Sequence, residues 1–481
     1  MTVTGKTIYE KIHFLYCRTE KNVQNIRRQK FAVCSDEDAI QTILDNTLSE
    51  MQDEKSGIYI RTFSDVMVME KDKGNSIVGV VTECFQAKPF DLWFVLTILD
   101  NSIMVFDKQD LNTQMSNLAV DDAKEMATKI TEIFETTVKN SAKVDRWSEG
   151  RDSFIKNVQF FTSRNAQVEA VLPAFPCKSL NPEKVASTTP DKGEELALKR
   201  IIEFVSYVNE IYPPGMKFFI VSDGHVFSDC INVDDKVVDS YTEQLKKLYH
   251  RVKPEGFDGI HFRGLNDCFK SSTKNEIAPL LNTITVDHYL DTQLDDATEI
   301  NRKIMMLGCD DNAETLREEI KTPLHPRLYL YRGFNKFMYE DLVNTPKAQA
   351  MSRKKFKKMV SSIAFEMILR NDAYSNLVEL VFPFHLRLSI HAHHNAGPKY
   401  GIRLLDTSIC CSYDHNPDEE DRLLHIPTPW HNAVFKLGDR EKMIVSNSKL
   451  AEMLEKDEKY VGGWHEKERC FVYAPSVQPN L

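Results

Sequence analysis

Three short blocks of this chain set ionisable side chains at spacings that can do chemistry. The densest is Pro383 to Arg403, PFHLRLSIHAHHNAGPKYGIR. From His385 to His393 the residues alternate strictly, with His385, Arg387, Ser389, His391 and His393 set against Leu386, Leu388, Ile390 and Ala392. A period of two marks a strand with two unlike faces. One face is apolar and predicts core packing. The other lines up imidazoles, a guanidinium and a hydroxyl about 6.5–7 Å apart, a surface suited to a polar or anionic small molecule. Lys399 and Arg403 add cations beside it. A half-solvated strand is the competing account of the same alternation.

The second block is Ser222-Asp223-Gly224-His225-Val226-Phe227-Ser228-Asp229. Two carboxylates flanking a histidine can hold an amine, orient a general base or ligate a metal, while Asp-Gly alone can simply turn the chain. The third is Phe175-Pro176-Cys177-Lys178-Ser179-Leu180-Asn181. Lys178 there can neutralise a phosphate or form an imine with a carbonyl, and an exposed loop lysine is the simpler account. His391 and His393 with Asp223 are the one set whose spacing would suit zinc or iron. There is no HExxH, and DHNPD at 414–418 does not supply the HxD element of an iron(II) facial triad, so no metal is expected. The chain has neither GxGxxG nor a P-loop, so no nucleotide cofactor is expected.

The elements that must position these blocks read as α/β. Val168–Leu172 is a short apolar strand ending at Pro173, and Thr189-Pro190-Asp191 reads as an N-cap, a first-position proline and an early acid. Leu198, Ile201, Ile202, Val205, Val208 and Tyr212 keep helical spacing up to Pro213-Pro214-Gly215. Lys217–Val221 is a buried-strand pattern running into Ser222. Strand, loop, helix and strand predict a βαβ unit in a largely parallel sheet, whose ligands collect at strand carboxyl ends, where Lys178 and Asp223 fall. MSRKKFKKMVSSIAFEMILRN predicts a helix with Phe356, Met359, Val360, Ile363, Phe365 and Met367 as apolar positions and the basic run from Arg353 to Lys358 as a solvated face, with a nuclear signal or anion patch as the competing account.

Residues 1–120 differ in texture. GIYIRTFSDVMVME, NSIVGVVTECFQ and FDLWFVLTILDNSIMVF read as strands of an accessory α+β domain with no visible chemistry, and a helix-patterned stretch from Val120 to Ser141 leads into residues 121–481. A length of 481 residues suits two or three domains. The net charge of −10 argues against a nucleic-acid partner. Ten scattered cysteines without a CxxC pair suit a reducing compartment. The amino terminus has no apolar signal core, and the apolar run around Leu92–Leu99 is too short to span a bilayer, so a soluble cytoplasmic protein with no membrane partner is expected.

Five ordered blocks, AFPCKSLNPEKV (174–185), PDKGEELAL (190–198), IYPPGMKFFIVSDGHVFSD (211–229), PFHLRLSIHAHHNAGPKYGIRLL (383–405) and TPWHNAV (428–434), together resemble the pyoverdine/dityrosine biosynthesis family, the isocyanide (isonitrile) synthases. The resemblance spans residues 125 to 475 or so. It implies a Rossmann-like α/β core acting on aromatic amino acids without a metal or organic cofactor. Bacterial members condense the amine of tyrosine or tryptophan with the keto carbon of ribulose 5-phosphate, which becomes the isocyanide carbon. Fungal relatives act on L-tyrosine at the first step of dityrosine synthesis for the spore wall, where N-formyltyrosine, the hydrate of an isocyanide, is the described product. Some members are fused to or paired with an iron/2-oxoglutarate oxygenase, so a downstream oxidising enzyme of that kind, or a haem-thiolate monooxygenase, is an expected functional partner.

The local chemistry fits this substrate pair. Lys178, Arg387, Lys399 and Arg403 are candidates for the phosphate, with Ser179, Gly224 and Ser389 as further substrate contacts. His385 and His391 suit proton removal near neutrality, Asp223 or Asp229 suits the ammonium, and Glu194 or Glu195 is a further acid/base. The chain departs from the family pattern at Cys177, where an aromatic residue is expected, and at Leu180, where proline is common. Both departures bear on pocket shape and amino-acid preference. Two other readings compete: a catalytically silent binding protein for sugar phosphate or amino acid, and a metal-dependent hydrolase or oxygenase built on His391, His393 and Asp223.

Overall fold

Parallel strands buried on both faces read as continuous apolar runs, and two such runs build the centre of this molecule. They are β6 (Val168–Pro173) and β7 (Met216–Val221). The computed structural model describes strands at 12–17, 32–33, 58–63, 66–71 and 76–84. From 120 to 476 it describes all but 141–144, 164, 270–280, 282–283, 307–312, 383–384, 392–394, 398, 406–426 and 439–441. β6 and β7 pair in parallel from Val168 with Met216 to Pro173 with Val221. β8 (Ile260–Arg263), β9 (Leu386–Ser389) and β10 (Tyr400–Gly401) complete a sheet of order β10-β9-β6-β7-β8, every neighbouring pair parallel.

Helices α1 (Val120–Thr137), α2 (Trp147–Thr162) and α3 (Lys192–Ile211) put their apolar stripes into this sheet's core, where Phe134 stacks on Phe154 at 4.4 Å. The start of α3 departs from expectation. Its N-cap is Asp191 rather than Thr189, because the Asp191 carboxylate accepts the Gly193 N–H while the Glu194 carboxylate reaches back to the Asp191 N–H at 2.8 Å. That reciprocal box satisfies two orphan donors at once and leaves Pro190 outside the helix.

A short α4 (Gly224–Phe227) follows β7 directly, and α5 (Asp235–Val252) returns the chain to β8. Then come α6 (Asp296–Met306), α7 (Ala313–Glu319), α8 (Pro326–Leu342), α9 (Pro346–Gln349) and the 29-residue α10 (Arg353–Val381). α8 and α10 form their own core around Phe334, Met338, Phe356, Val360 and Ile363, while Arg353, Lys354, Lys355, Lys357 and Lys358 stay exposed.

β9 is shorter than the alternation predicts. Leu386 and Leu388 are buried in the core as expected, but the strand ends at Ser389, with His391 beyond it and His393 outside the described residues. A second sheet had no counterpart in the sequence reading. β11 (Ala433–Leu437), β12 (Lys442–Ser446), β13 (Tyr460–His465) and β14 (Cys470–Pro475) take the order β12-β11-β14-β13, with α11 (Lys449–Lys456) packed on them. Trp430, Val434 and Val445 tie it to the main core.

In the amino-terminal region β1 (Ile12–Cys17), β2 (Ala32–Val33), β3 (Ile58–Phe63), β4 (Val66–Lys71) and β5 (Ser76–Cys84) form an antiparallel sheet of order β2-β1-β5-β4-β3. GIYIRTFSDVMVME and NSIVGVVTECFQ fall on β3 to β5, and FDLWFVLTILDNSIMVF lies outside the described residues. Among the described residues no helix is long and apolar enough to cross a membrane.

Candidate active site

From β6 the chain builds β7 and β8 on one side and, much later, β9 and β10 on the other. The order therefore reverses between β6 and β9, the crevice where α/β sheets lodge ligands. The carboxyl ends of β6, β7 and β9 open into a pocket whose empty space, counted out into the solvent at its mouth, is about 980 Å³. Cys177, Ser179 and Leu180 reach it after β6, Asp223 after β7, and Ile390 and His391 after β9. Phe334, Phe337 and Asp341 of α8 and Met367 and Asn371 of α10 cover it, and a 3-10 turn at Pro429–His431 closes the side with Trp430 and His431.

Asp223 is the distinctive group. Its Oδ1 is buried with no hydrogen-bond partner, and burial pushes the carboxyl up to about 6, opposed only by a bond from its own backbone. The backbone around it is tightly fixed. The Ser222 hydroxyl donates to the Phe175 carbonyl at 3.1 Å, and a Cβ at Gly224 would lie 2.4 Å from the Pro176 carbonyl oxygen. Gly224 thus serves the close approach of two loops.

The second carboxylate in the wall, Asp341, is compensated. Burial raises it, but the Lys184 ammonium lies 2.7 Å away and the Ser179 hydroxyl donates to it. Lys184 also sits 4.6 Å from the centre of the Phe337 ring. His431 is held well below the usual imidazole range by burial, with the charges of Lys184, Lys178 and His391 adding, so it is neutral near pH 7. Its Nδ1 lies 3.2 Å from the Thr428 hydroxyl. Burial, with the Asp223 and Asp341 charges adding, raises the Cys177 thiol far out of reach of ionisation, so it is a small neutral wall.

Of the candidate catalytic and substrate-binding residues named from sequence, the structure brings Ser179, Asp223 and His391 together here, beside Cys177 and Leu180. The others lie elsewhere. Lys178 points away from its cavity-lining neighbours, Cys177 and Ser179, and is fully enclosed, with Asp191 Oδ2 at 2.7 Å, Glu194 Oε2 at 3.0 Å and the Pro429 carbonyl at 2.7 Å. Glu194 completes that cluster and accepts the Tyr241 hydroxyl at 3.0 Å; burial raises it to about 7, with Lys178 opposing. Glu195 pairs with Lys192 at 2.9 Å and Lys199 at 2.7 Å on the outer side of α3. Asp229 is gripped by both terminal nitrogens of Arg370, at 2.5 and 2.9 Å, and by His288 at 2.7 Å. Burial works against its ionisation, yet the His288 and Arg370 bonds hold it far below the usual carboxylate range.

The polar face of β9 does not gather in one place. His385 pairs with Glu169 at 3.1 Å and packs edge-on against Phe219 and Phe382. Arg387 is half-buried opposite Val171 of β6. Ser389 ends the strand and accepts the His391 N–H at 3.2 Å. Lys399 donates to the Ser375 hydroxyl at 2.5 Å, and the Arg403 N–H donates to the Val138 carbonyl at 2.8 Å. Residues along one face advance about 6.5–7 Å per step, so only the carboxyl end of a strand reaches a cavity at the sheet edge.

The sequence reading missed Lys184, Phe334, Phe337, Asp341, Asn371 and His431. Trp430 and His431 lay in the TPWHNAV block without a role. Phe334, Phe337 and Asp341 sit at i, i+3 and i+7, one helical face that reads as ordinary core.

A family model described as pyoverdine/dityrosine biosynthesis protein matches residues 158–457. The chain is similar to the spore wall maturation protein DIT1 of Saccharomyces cerevisiae, with 43% identity over 95% of this chain and 88% of that one. It is also similar to L-tryptophan isonitrile synthase AmbI2 of Fischerella ambigua, 30% identical over 62% of this chain and 77% of that one. The L-tyrosine isonitrile synthase of Xenorhabdus nematophila is 30% identical over 61% and 75%. The crystal structure of PvcA from Pseudomonas aeruginosa shares the fold, with a TM-score of 0.56 at 22% identity over 73% of this chain and 99% of that one. With the family model, the yeast relative and the sheet-edge cavity in agreement, this chain belongs to the pyoverdine/dityrosine biosynthesis family.

Proposed function

We propose that this enzyme converts the amino group of an aromatic L-amino acid, tyrosine foremost, to an isocyanide or its N-formyl hydrate, with ribulose 5-phosphate as one-carbon donor. One observation carries the reading: a buried carboxylate oxygen without a hydrogen-bond partner, Oδ1 of Asp223, lies in a cavity walled by Phe227, Phe334, Phe337 and Trp430. A carboxylate so placed is stabilised by an arriving cation, and flat apolar walls suit a ring. An aromatic amino acid offers both. The names of the Fischerella and Xenorhabdus relatives support the reaction class, and that of the yeast relative supports a role in spore wall formation.

In this reading Asp223 receives the ammonium and then its proton, which frees the amine to attack the keto carbon and, with loss of water, form an imine. His391 serves the later proton removals, and neutral His431 supplies a hydrogen bond without adding charge. Lys178 is already matched by two carboxylates and is set aside as the phosphate contact. A downstream oxidising enzyme would consume the product.

The test is mass spectrometry of the enzyme with L-tyrosine, with and without ribulose 5-phosphate labelled at the keto carbon. A labelled isocyanide or N-formyltyrosine that requires both substrates is expected. Absence of product with tyrosine, tryptophan and phenylalanine alike would overturn the reading.

A further inference from the structure

We infer that Lys178 is a positioning residue, whose ammonium clamps two walls of the cavity together and does not itself meet substrate. An ammonium has three donors. Those of Lys178 face three oxygens, Asp191 Oδ2 at 2.7 Å, the Pro429 carbonyl at 2.7 Å and Glu194 Oε2 at 3.0 Å, and the side chain has no solvent exposure. None is left for a phosphate oxygen. Two anionic neighbours also oppose the loss of the proton that imine formation would require.

The three acceptors lie on different parts of the cavity's frame. Lys178 sits between Cys177 and Ser179, both in the wall, and Pro429 immediately precedes Trp430 and His431, also in the wall. The Ser179 N–H donates to the Trp430 carbonyl at 2.9 Å, a second bond between the same two segments. Asp191 and Glu194 anchor the clamp to the capped start of α3. Lys178 therefore sets where Trp430 and His431 stand relative to Ser179 and Asp223.

Two experiments test this. The first leaves the protein intact: acetic anhydride labelling and peptide mapping, with and without ribulose 5-phosphate. Lys178 should be labelled at least about tenfold less than Lys199, which is 52% exposed, and the sugar phosphate should not change it. Labelling of Lys178 that ribulose 5-phosphate suppresses would overturn the proposal.

The second compares Lys178→Met with the charge-balanced Lys178→Met/Asp191→Asn/Glu194→Gln. Asn and Gln keep the cap and its box. The single variant should lose its fold, and the triple should regain it. In the triple, KM for the amino acid should rise with kcat within about tenfold of wild type, the signature of misplaced binding groups. A folded triple variant with kcat down by about a thousandfold or more would mean that the ammonium takes part in the chemistry. The kinetic arm rests on the proposed reaction. If wild type yields no product, that reading fails, and the labelling still decides whether Lys178 is sealed. It decides equally if the triple variant does not fold.

Discussion

Asp223 and the Lys178 cluster lie on opposite sides of the same loop, and both bury carboxylates. In the cluster each carboxylate has a cation within 3.0 Å. At Asp223 one buried oxygen has nothing, and no cation contributes to its ionisation. Asp229 falls on the cluster's side of this divide, compensated by Arg370 and His288. Both regions sit at the carboxyl edge of a parallel sheet, and both lie in family-like blocks. Under the proposed reading, what separates a bracing carboxylate from one that receives a ligand is a cation within reach, since an uncompensated buried charge costs free energy that an incoming cation can recover.

Replacing Asp223 by Asn should break the comparison most sharply. Turnover should fall by about 10²–10⁴, the range for a lost general base. Stability should move the other way. Folding raises this carboxyl from 3.8 to about 6, so it favours the protonated form; that contribution is complete below pH 4 and is lost as pH rises through about 6. At pH 8 the Asn variant should therefore be more stable, by on the order of 1–3 kcal/mol. Activity of the wild type should rise through the same interval, because the ammonium needs the ionised form. Opposite slopes of turnover and denaturation midpoint check the pair, and parallel slopes would remove Asp223 from the site.

Arg370→Met tests the braced side. It leaves Glu366 buried without its cation and Asp229 with His288 alone, and urea denaturation should show a loss of about 3–5 kcal/mol. A loss below 1 kcal/mol would show that this network does not brace the fold. Phe337→Ala removes an aromatic wall and should raise KM for tyrosine by about ten- to a hundredfold with a smaller change in kcat. An unchanged KM would place the ring elsewhere. The smallest effect is expected from Glu195→Gln, one residue from the sealed Glu194. Its ion pairs lie on the outer side of α3, so stability should change by less than about 1 kcal/mol and turnover not at all. A clear loss of turnover would restore Glu195 as an acid/base.

Much of the frame was legible in the residues. β6, α3 and β7 were readable from apolar runs and helical spacing, and the crevice location of Asp223 followed from the βαβ order. The cap of α3 was misplaced by two residues because Thr-Pro-Asp and Asp-x-x-Glu are competing start signals, and only the reciprocal bonds of Asp191 and Glu194 decide between them. The carboxyl-terminal sheet went unseen, since its parallel pair, β11 with β14, joins segments with three elements between them. The aromatic face of α8 looked like core because a cavity wall and a core face carry the same pattern.

The sequence by itself determined the parallel α/β frame, the order of the five blocks and the family, because strand and helix periods and short motifs are local properties of a chain. Tertiary structure decided which ionisable residues are free to act. The partner of Asp229 is 141 positions away at Arg370, and the carbonyl that takes a Lys178 proton is 251 positions away at Pro429. Compensation of a buried charge depends on what lies within a few ångströms in space, and only the folded chain sets those distances.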